Sequence, residues 1–134
     1  MRYLLDTNIC IYIIKRKPIT VLRRFECFSI GDIGISSISV AELQYGIQKS
    51  RHFSTNKRAL EQFLVPLTIV DFDHQAAVVY GEIRAKLEAE GQPIGSLDML
   101  IAAHALRLNA TLVTNNTKEF VRVPDLKLTN WAGH

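Results

Sequence analysis

Apolar positions along the chain fall into short continuous runs that alternate with stripes at helical spacing. Arg2-Tyr3-Leu4-Leu5 is a short apolar strand, ended by Asp6-Thr7-Asn8, a cluster of residue types that cap helices. Ile9, Tyr12 and Ile13 then recur with helical period until Lys15-Arg16-Lys17-Pro18 breaks the pattern. A second helix carries Val21, Leu22, Phe25 and Phe28 on its inner face, and Gly31-Asp32 marks a turn. Residues 33–37 read as a second strand. Ser39-Val40-Ala41-Glu42 has the spacing of a capping box and opens a helix whose buried stripe is Val40, Leu43 and Ile47. Residues 50–56 are polar and predict a loop, and Ala59, Leu60, Phe63 and Leu64 a shorter helix. A β-branched run at 67–72 predicts a third strand, and Asp73 the start of a long helix with Ala76, Tyr80, Ile83 and Leu87 in register. Gly91-Gln92-Pro93-Ile94-Gly95 is the turn into the most apolar segment of the chain.

That segment, 97–108, has apolar side chains on every face, which predicts a buried helix. Its one acid, Asp98, sits in the first turn. Residues 110–114 read as a strand, 115–120 as a short helical turn, and 126–128 as a last edge strand leading to Trp131. Short strands alternating with helices predict an α/β fold with a mostly parallel sheet and helices on both faces. Ligands then bind beyond the carboxyl ends of the strands.

The 134 residues suit one domain over the whole chain, 1–134, with no linker or repeat. With 48% hydrophobic and 22% charged residues, the composition excludes a disordered chain. Asp6 and Asn8 interrupt the first apolar run too early for a signal peptide, and no run approaches a membrane span. Cys10 and Cys27 form neither a disulfide framework nor a metal pattern, and read as reduced core thiols of a cytoplasmic protein. The net charge of +3 changes the picture only through its grouping at Lys15-Arg16-Lys17, Arg23-Arg24 and Lys49 to Arg58. Such groups suit a phosphate backbone, and equally a solvated helical face.

Candidate chemistry collects at the strand ends. Asp6 ends the first strand, Glu42 follows the second, and Asn115, Asn116 and Glu119 follow the fourth. Loops from strand ends to helix starts share one edge of a parallel sheet, so Asp6, Glu42 and Glu119 converge there. Asp98 joins them only if its helix points its N-terminus at that edge. Singly, each acid has a local explanation: Asp6 as a cap, Glu42 and Glu119 in capping boxes, Asp98 as a first-turn acid favoured by the helix dipole. Together, three or four carboxylates repel one another unless a cation joins them. An oxygen-only set suits Mg²⁺ or Mn²⁺ rather than zinc, and metal-assisted hydrolysis of a phosphodiester is the consistent chemistry. Thr7, Asn8, Thr114, Asn115 and Asn116 are supporting candidates, able to orient water or hold phosphate and equally able to serve as loop and cap residues. His104 reads as a satisfied core histidine, Asp71, Asp73 and Glu82 as turn and surface residues, and Trp131 as an anchor for the chain end.

Leu4-Leu5-Asp6-Thr7-Asn8, Ser39-Val40-Ala41-Glu42-Leu43, Gly91 to Asp98 and Thr114 to Phe120 resemble, in order and spacing, the motifs of PIN-domain ribonucleases. The closer resemblance is to the VapC toxins of bacterial VapBC toxin–antitoxin modules. It implies a three-layer α/β/α fold with about five strands and a Mg²⁺- or Mn²⁺-dependent endoribonuclease. By position, Asp6 and Asp98 correspond to direct metal ligands, and Glu42 to a ligand or water-mediated contact. Members of the family often carry an acid where this chain has Asn116, which leaves Glu119 as fourth ligand, second-metal ligand or outer group. The resemblance further implies a structured RNA substrate, commonly transfer RNA, arrest of translation, a homodimer, a cognate VapB-type antitoxin, and contact with operator DNA only through that antitoxin. Two other readings stand beside it: a PIN-like module that binds antitoxin or RNA without cutting, and a nuclease for single-stranded DNA.

Overall fold

The computed structural model describes residues 1–29 and 31–132. A five-stranded parallel sheet is formed by β1 (Tyr3–Leu5), β2 (Ile33–Ser36), β3 (Thr68–Val70), β4 (Thr111–Val113) and β5 (Leu128–Thr129), in the order β3-β2-β1-β4-β5. Seven helices connect and cover it among the described residues: α1 (Thr7–Lys15), α2 (Ile19–Glu26), α3 (Ser37–Gln48), α4 (Phe53–Leu64), α5 (His74–Ala89), α6 (Ser96–Leu108) and α7 (Thr117–Phe120). No helix among the described residues is long and apolar enough to cross a membrane.

The three layers follow from the two-residue period of the strands. Leu4 pairs with Leu112 and Leu5 with Val113 across the central β1–β4 ladder. Leu4 and Leu112 point into one core with Ile83, Leu87, Met99 and Ile101, under α5 and α6. Leu5 and Val113 point into the other with Ile9, Ile13, Val21, Leu43 and Leu60, under α1 to α4. Gly34 in β2 sits where a side chain has no room: a Cβ there would collide with the Met1 side chain.

Several boundaries differ from expectation. The cap of α3 is Ser36, whose hydroxyl accepts the Ile38 N–H at 3.1 Å, so Ser39 is inside the helix and Glu42 is no part of a capping box. The polar stretch after Ser50 becomes α4 from Phe53 onwards, because that helix needs only Leu60 and Phe63 on its inner face. The second helix stops at Glu26, and Phe28 packs beyond its end. The last strand is Leu128–Thr129 rather than 126–128. In α6, Met99 and Ile101 to Ala105 are buried, but Leu97 is 48% exposed. Cys10 is a buried free thiol, whereas Cys27 is exposed and so no core residue. The expected single domain, 1–134, extends over Ile30, Gly133 and His134, which lie outside the described residues.

His104 is the core residue expected of it. Its Nδ1 lies 2.8 Å from Ser36 Oγ, its ring meets Phe72 edge-on, and burial pushes its pKa down. Asp73 caps α5 by accepting the Ala76 N–H at 2.9 Å, and Asp71 and Glu82 are exposed. Trp131 is 1% exposed, stacks on Phe28 at 5.4 Å and meets Tyr3 at 5.8 Å. Trp131→Ala should therefore cost about 3–5 kcal/mol in urea unfolding, as large aromatic truncations do. Trp131→Phe should cost much less, because the indole N–H has no acceptor among the described residues. Equal losses in both would show that the stack does not hold the chain end.

Candidate active site

The carboxyl edge of the sheet carries the acids because β1, β2 and β4 all end there. The Asp6 N–H continues the ladder by donating to the Val113 carbonyl at 2.9 Å. Its side chain then caps α1, with Oδ1 accepting the Thr7 N–H at 2.8 Å. Oδ2 accepts the Thr114 hydroxyl at 2.8 Å, and that hydroxyl oxygen accepts the Asn116 N–H at 2.9 Å. Asp6 and Thr114 are both buried. One carboxylate thus fastens the end of β1 to the end of β4, and its capping role and its place in the acid set coexist.

Glu42 reaches the same edge from α3. Thr7 Oγ1 lies 2.7 Å from Glu42 Oε1 and 2.9 Å from Ser39 Oγ. A hydroxyl has one proton to give, so Thr7 donates to the carboxylate and receives from Ser39. Ser39 is therefore a buried support for Thr7, a role hidden by its resemblance to a cap. The readable signal was its position one turn before Glu42, on the same helix face.

Asp98, in the first turn of α6, is pushed up to about 6 by burial first, then by the charges of Asp6, Glu119 and Glu42. The helix does point its N-terminus at this edge, and the charges of Asp6, Glu119 and Glu42 all reach Asp98. Asp6 is also raised, by burial, against the lowering effect of its bonds from Thr114 and Thr7. Buried Cys10 is pushed well up by burial and then by Asp6 and Glu42. Asn116 Nδ2 lies 3.4 Å from Glu119 Oε2, so the asparagine couples Thr114 on one side to Glu119 on the other. Asn115 is directed elsewhere, donating to the Tyr12 hydroxyl at 2.7 Å. Asn8 is exposed on the wall of a cavity of about 770 Å³, shared with Asp6, Glu42 and Asp98.

The ion pairs found among the described residues, Arg84–Glu88 on α5 and Lys86–Glu90 at its C-terminal cap, involve none of these acids. Four carboxylates in no ion pair among the described residues have the donor chemistry of a hard-cation site. Among the described residues, however, no three acids, histidines or cysteines are grouped closely enough to enclose an ion as they stand.

A parallel sheet in this order, covered by helices on both faces and lined with acids at its carboxyl edge, is a three-layer α/β/α domain of PIN-like architecture. The PIN domain family matches residues 3–126. Ribonuclease VapC2 of Rickettsia felis is 49% identical over 98% of both chains, and the tRNA(fMet)-specific endonuclease VapC of Shigella flexneri is 42% identical over 98% of this chain and 99% of that one. The crystal structure of VapBC2 from Rickettsia felis bound to a DNA fragment from their promoter superimposes with a TM-score of 0.92 at 48% identity, covering 98% of this chain and 99% of that one. The chain belongs to the PIN-domain family, as a close homologue of the VapC ribonuclease toxins of VapBC toxin–antitoxin systems.

The repulsion at Asp98 has a measurable consequence. Its folded-state pKa lies above the ordinary 3.8, so the folded chain binds more protons than the unfolded chain between that value and about 6. On this group's account stability falls as pH rises through that window. The lowered His104 acts oppositely, losing stability below about 6.5, but equally in any variant that keeps it. With a chelator present, Asp98→Asn should melt above wild type at pH 7.5, with the gap narrowing as pH falls below about 6 and closing near 3.8. A gap independent of pH would show that Asp98 is not held in a repulsive set.

Proposed function

We propose that this chain is a divalent-cation-dependent endoribonuclease toxin that cuts a structured RNA, with transfer RNA as its substrate, and so stops translation. The observation that supports this best is the pair of hydroxyl clamps, Thr114 on Asp6 and Thr7 on Glu42, which hold acids from separate elements at one sheet edge, in no ion pair among the described residues. A tRNA substrate is supported by the Shigella flexneri relative, whose name states specificity for tRNA(fMet).

Asp6 and Asp98 would hold a Mg²⁺ or Mn²⁺ ion, with Glu42 and Glu119 contributing directly or through water. When bound, such an ion offsets charge on a phosphoryl oxygen and makes a water more acidic. The chain's own residues supply the rest. Thr7 holds one oxygen of Glu42, leaving the other to accept the proton of an attacking water. The water oxygen bonds to phosphorus and the bond to the 3′-oxygen breaks in line. This leaves a 5′-phosphate and a 3′-hydroxyl, the latter protonated from solvent. Thr114 and the Asn116 N–H keep Asp6 from swinging away, and Asn116 steadies Glu119.

The partners follow the same family logic. A VapB-type antitoxin covers the acidic edge and silences it, the toxin pairs as a homodimer, and operator DNA is contacted through the antitoxin. The VapBC2 complex from Rickettsia felis, bound to promoter DNA, supports this assembly. A second reading, a PIN-like module that binds RNA or antitoxin without cutting, is favoured by the absence of a closed three-ligand group among the described residues and by Asn116 in place of an acid.

Purified chain freed of antitoxin should cut total bacterial RNA into discrete fragments with Mg²⁺, and none with a chelator. Asp6→Asn should lose more activity than the about 10–100-fold typical of losing an outer support, and Thr7→Val should fall within that range. Full cleavage by Asp6→Asn, or in chelator, contradicts the assignment. No cleavage together with no heat of Mg²⁺ binding selects the binding module.

A further inference from the structure

The cavity of about 770 Å³ has two ends of different chemistry. Its floor is acidic, with Asp6, Glu42 and Asp98, and would repel an RNA backbone. Its rim carries Tyr45 of α3, 66% exposed, and Lys49, the residue that caps α3, whose Nζ lies 5.0 Å from the Tyr45 ring centroid. Lys49 is the basic residue among those lining the cavity. Tyr45 stands one helical turn beyond Glu42, and Gly46 beside it is without a side chain to fill the space between them.

A tyrosine 66% exposed adds little to the core, and the ring contact on it is the ammonium of Lys49. An aromatic face beside a lysine is, by contrast, the arrangement that receives single-stranded nucleic acid: the ring stacks on a base and the ammonium meets the adjoining phosphate. We infer that Tyr45 and Lys49 are substrate-positioning residues, Tyr45 stacking on an unpaired base next to the scissile phosphate and Lys49 holding the neighbouring backbone phosphate. This rests on the ribonuclease reading and adds to it the kind of RNA taken: a loop or other unpaired stretch whose base can be splayed out onto the ring. Base stacking tolerates any base, so the pair sets where the strand lies rather than which sequence is cut.

The test is fluorescence binding of a short single-stranded RNA carrying 2-aminopurine to the full chain in chelator, together with cleavage of total RNA in Mg²⁺. Tyr45→Ala should weaken RNA binding by about tenfold, raise the KM for cleavage more than it lowers kcat, and abolish quenching of 2-aminopurine. Its melting temperature should equal that of wild type, and Tyr45→Phe, which keeps the ring, should restore both binding and quenching. Lys49→Ala should lower the salt dependence of binding by about one phosphate contact. Wild-type cleavage with Tyr45→Ala binding and cutting normally overturns this inference alone. The same holds if Phe fails to restore what Ala loses. If that alanine variant instead escapes inhibition by co-purified antitoxin, the rim is a protein interface and the inference falls. A wild-type chain that neither binds nor cuts RNA overturns the ribonuclease reading, and this inference with it.

Discussion

Like charges gathered at one edge of a sheet must be restrained, or they separate. Asp6, Glu42, Asp98 and Glu119 arise from four elements, and folding brings the other three within electrostatic reach of Asp98. Burial and mutual repulsion raise Asp6 and carry Asp98 to about 6. Two threonine hydroxyls oppose that tendency. Thr114 donates to Asp6 at 2.8 Å and Thr7 to Glu42 at 2.7 Å, ordinary hydroxyl hydrogen-bond lengths. The arrangement stores unfavourable charge that a cation can relieve, and such perturbed groups mark functional edges more often than structural ones.

The fold is built to present this edge. β1 lies at the centre of the sheet, so its last residues are surrounded by β2 and β4 and cannot fray. Leu4 and Leu5 anchor it in the two opposite cores. Asp6 follows immediately, extending the ladder through its N–H while its side chain opens α1. The apolar α6 plays the matching part for Asp98: burial of Met99 and Ile101 to Ala105 fixes the axis, and the exposed first turn with Leu97 faces the cavity. Rigid cores thus hold a polar edge that their packing alone would not favour.

Much of this was legible in the residues. Short apolar runs separated by helical stripes specify a parallel sheet because both faces of the central strands β1, β2 and β4 are largely buried. Asp6 and Asp98 stood out as lone acids beside apolar segments. The misplaced cap of α3 has a local cause: Ser36, Ser37 and Ser39 all have cap chemistry, and only the strand end decides among them. The start of α4 was hidden because its first turns are exposed and polar, leaving no apolar period until Leu60. Cys27 looked like core because thiols usually are. The clamp between Thr7 and Glu42 joins residues 35 apart in sequence, and nothing local to either predicts it.

The account stands or falls on whether the four acids behave as one charged set. Titration of ¹³C-labelled aspartate side chains by NMR reads this directly at Asp98. The account predicts a midpoint near 6 in the metal-free chain, moving to lower pH when Mg²⁺ is added and when Asp6 is replaced by asparagine. A midpoint at the ordinary carboxylate value, unmoved by either change, would contradict it.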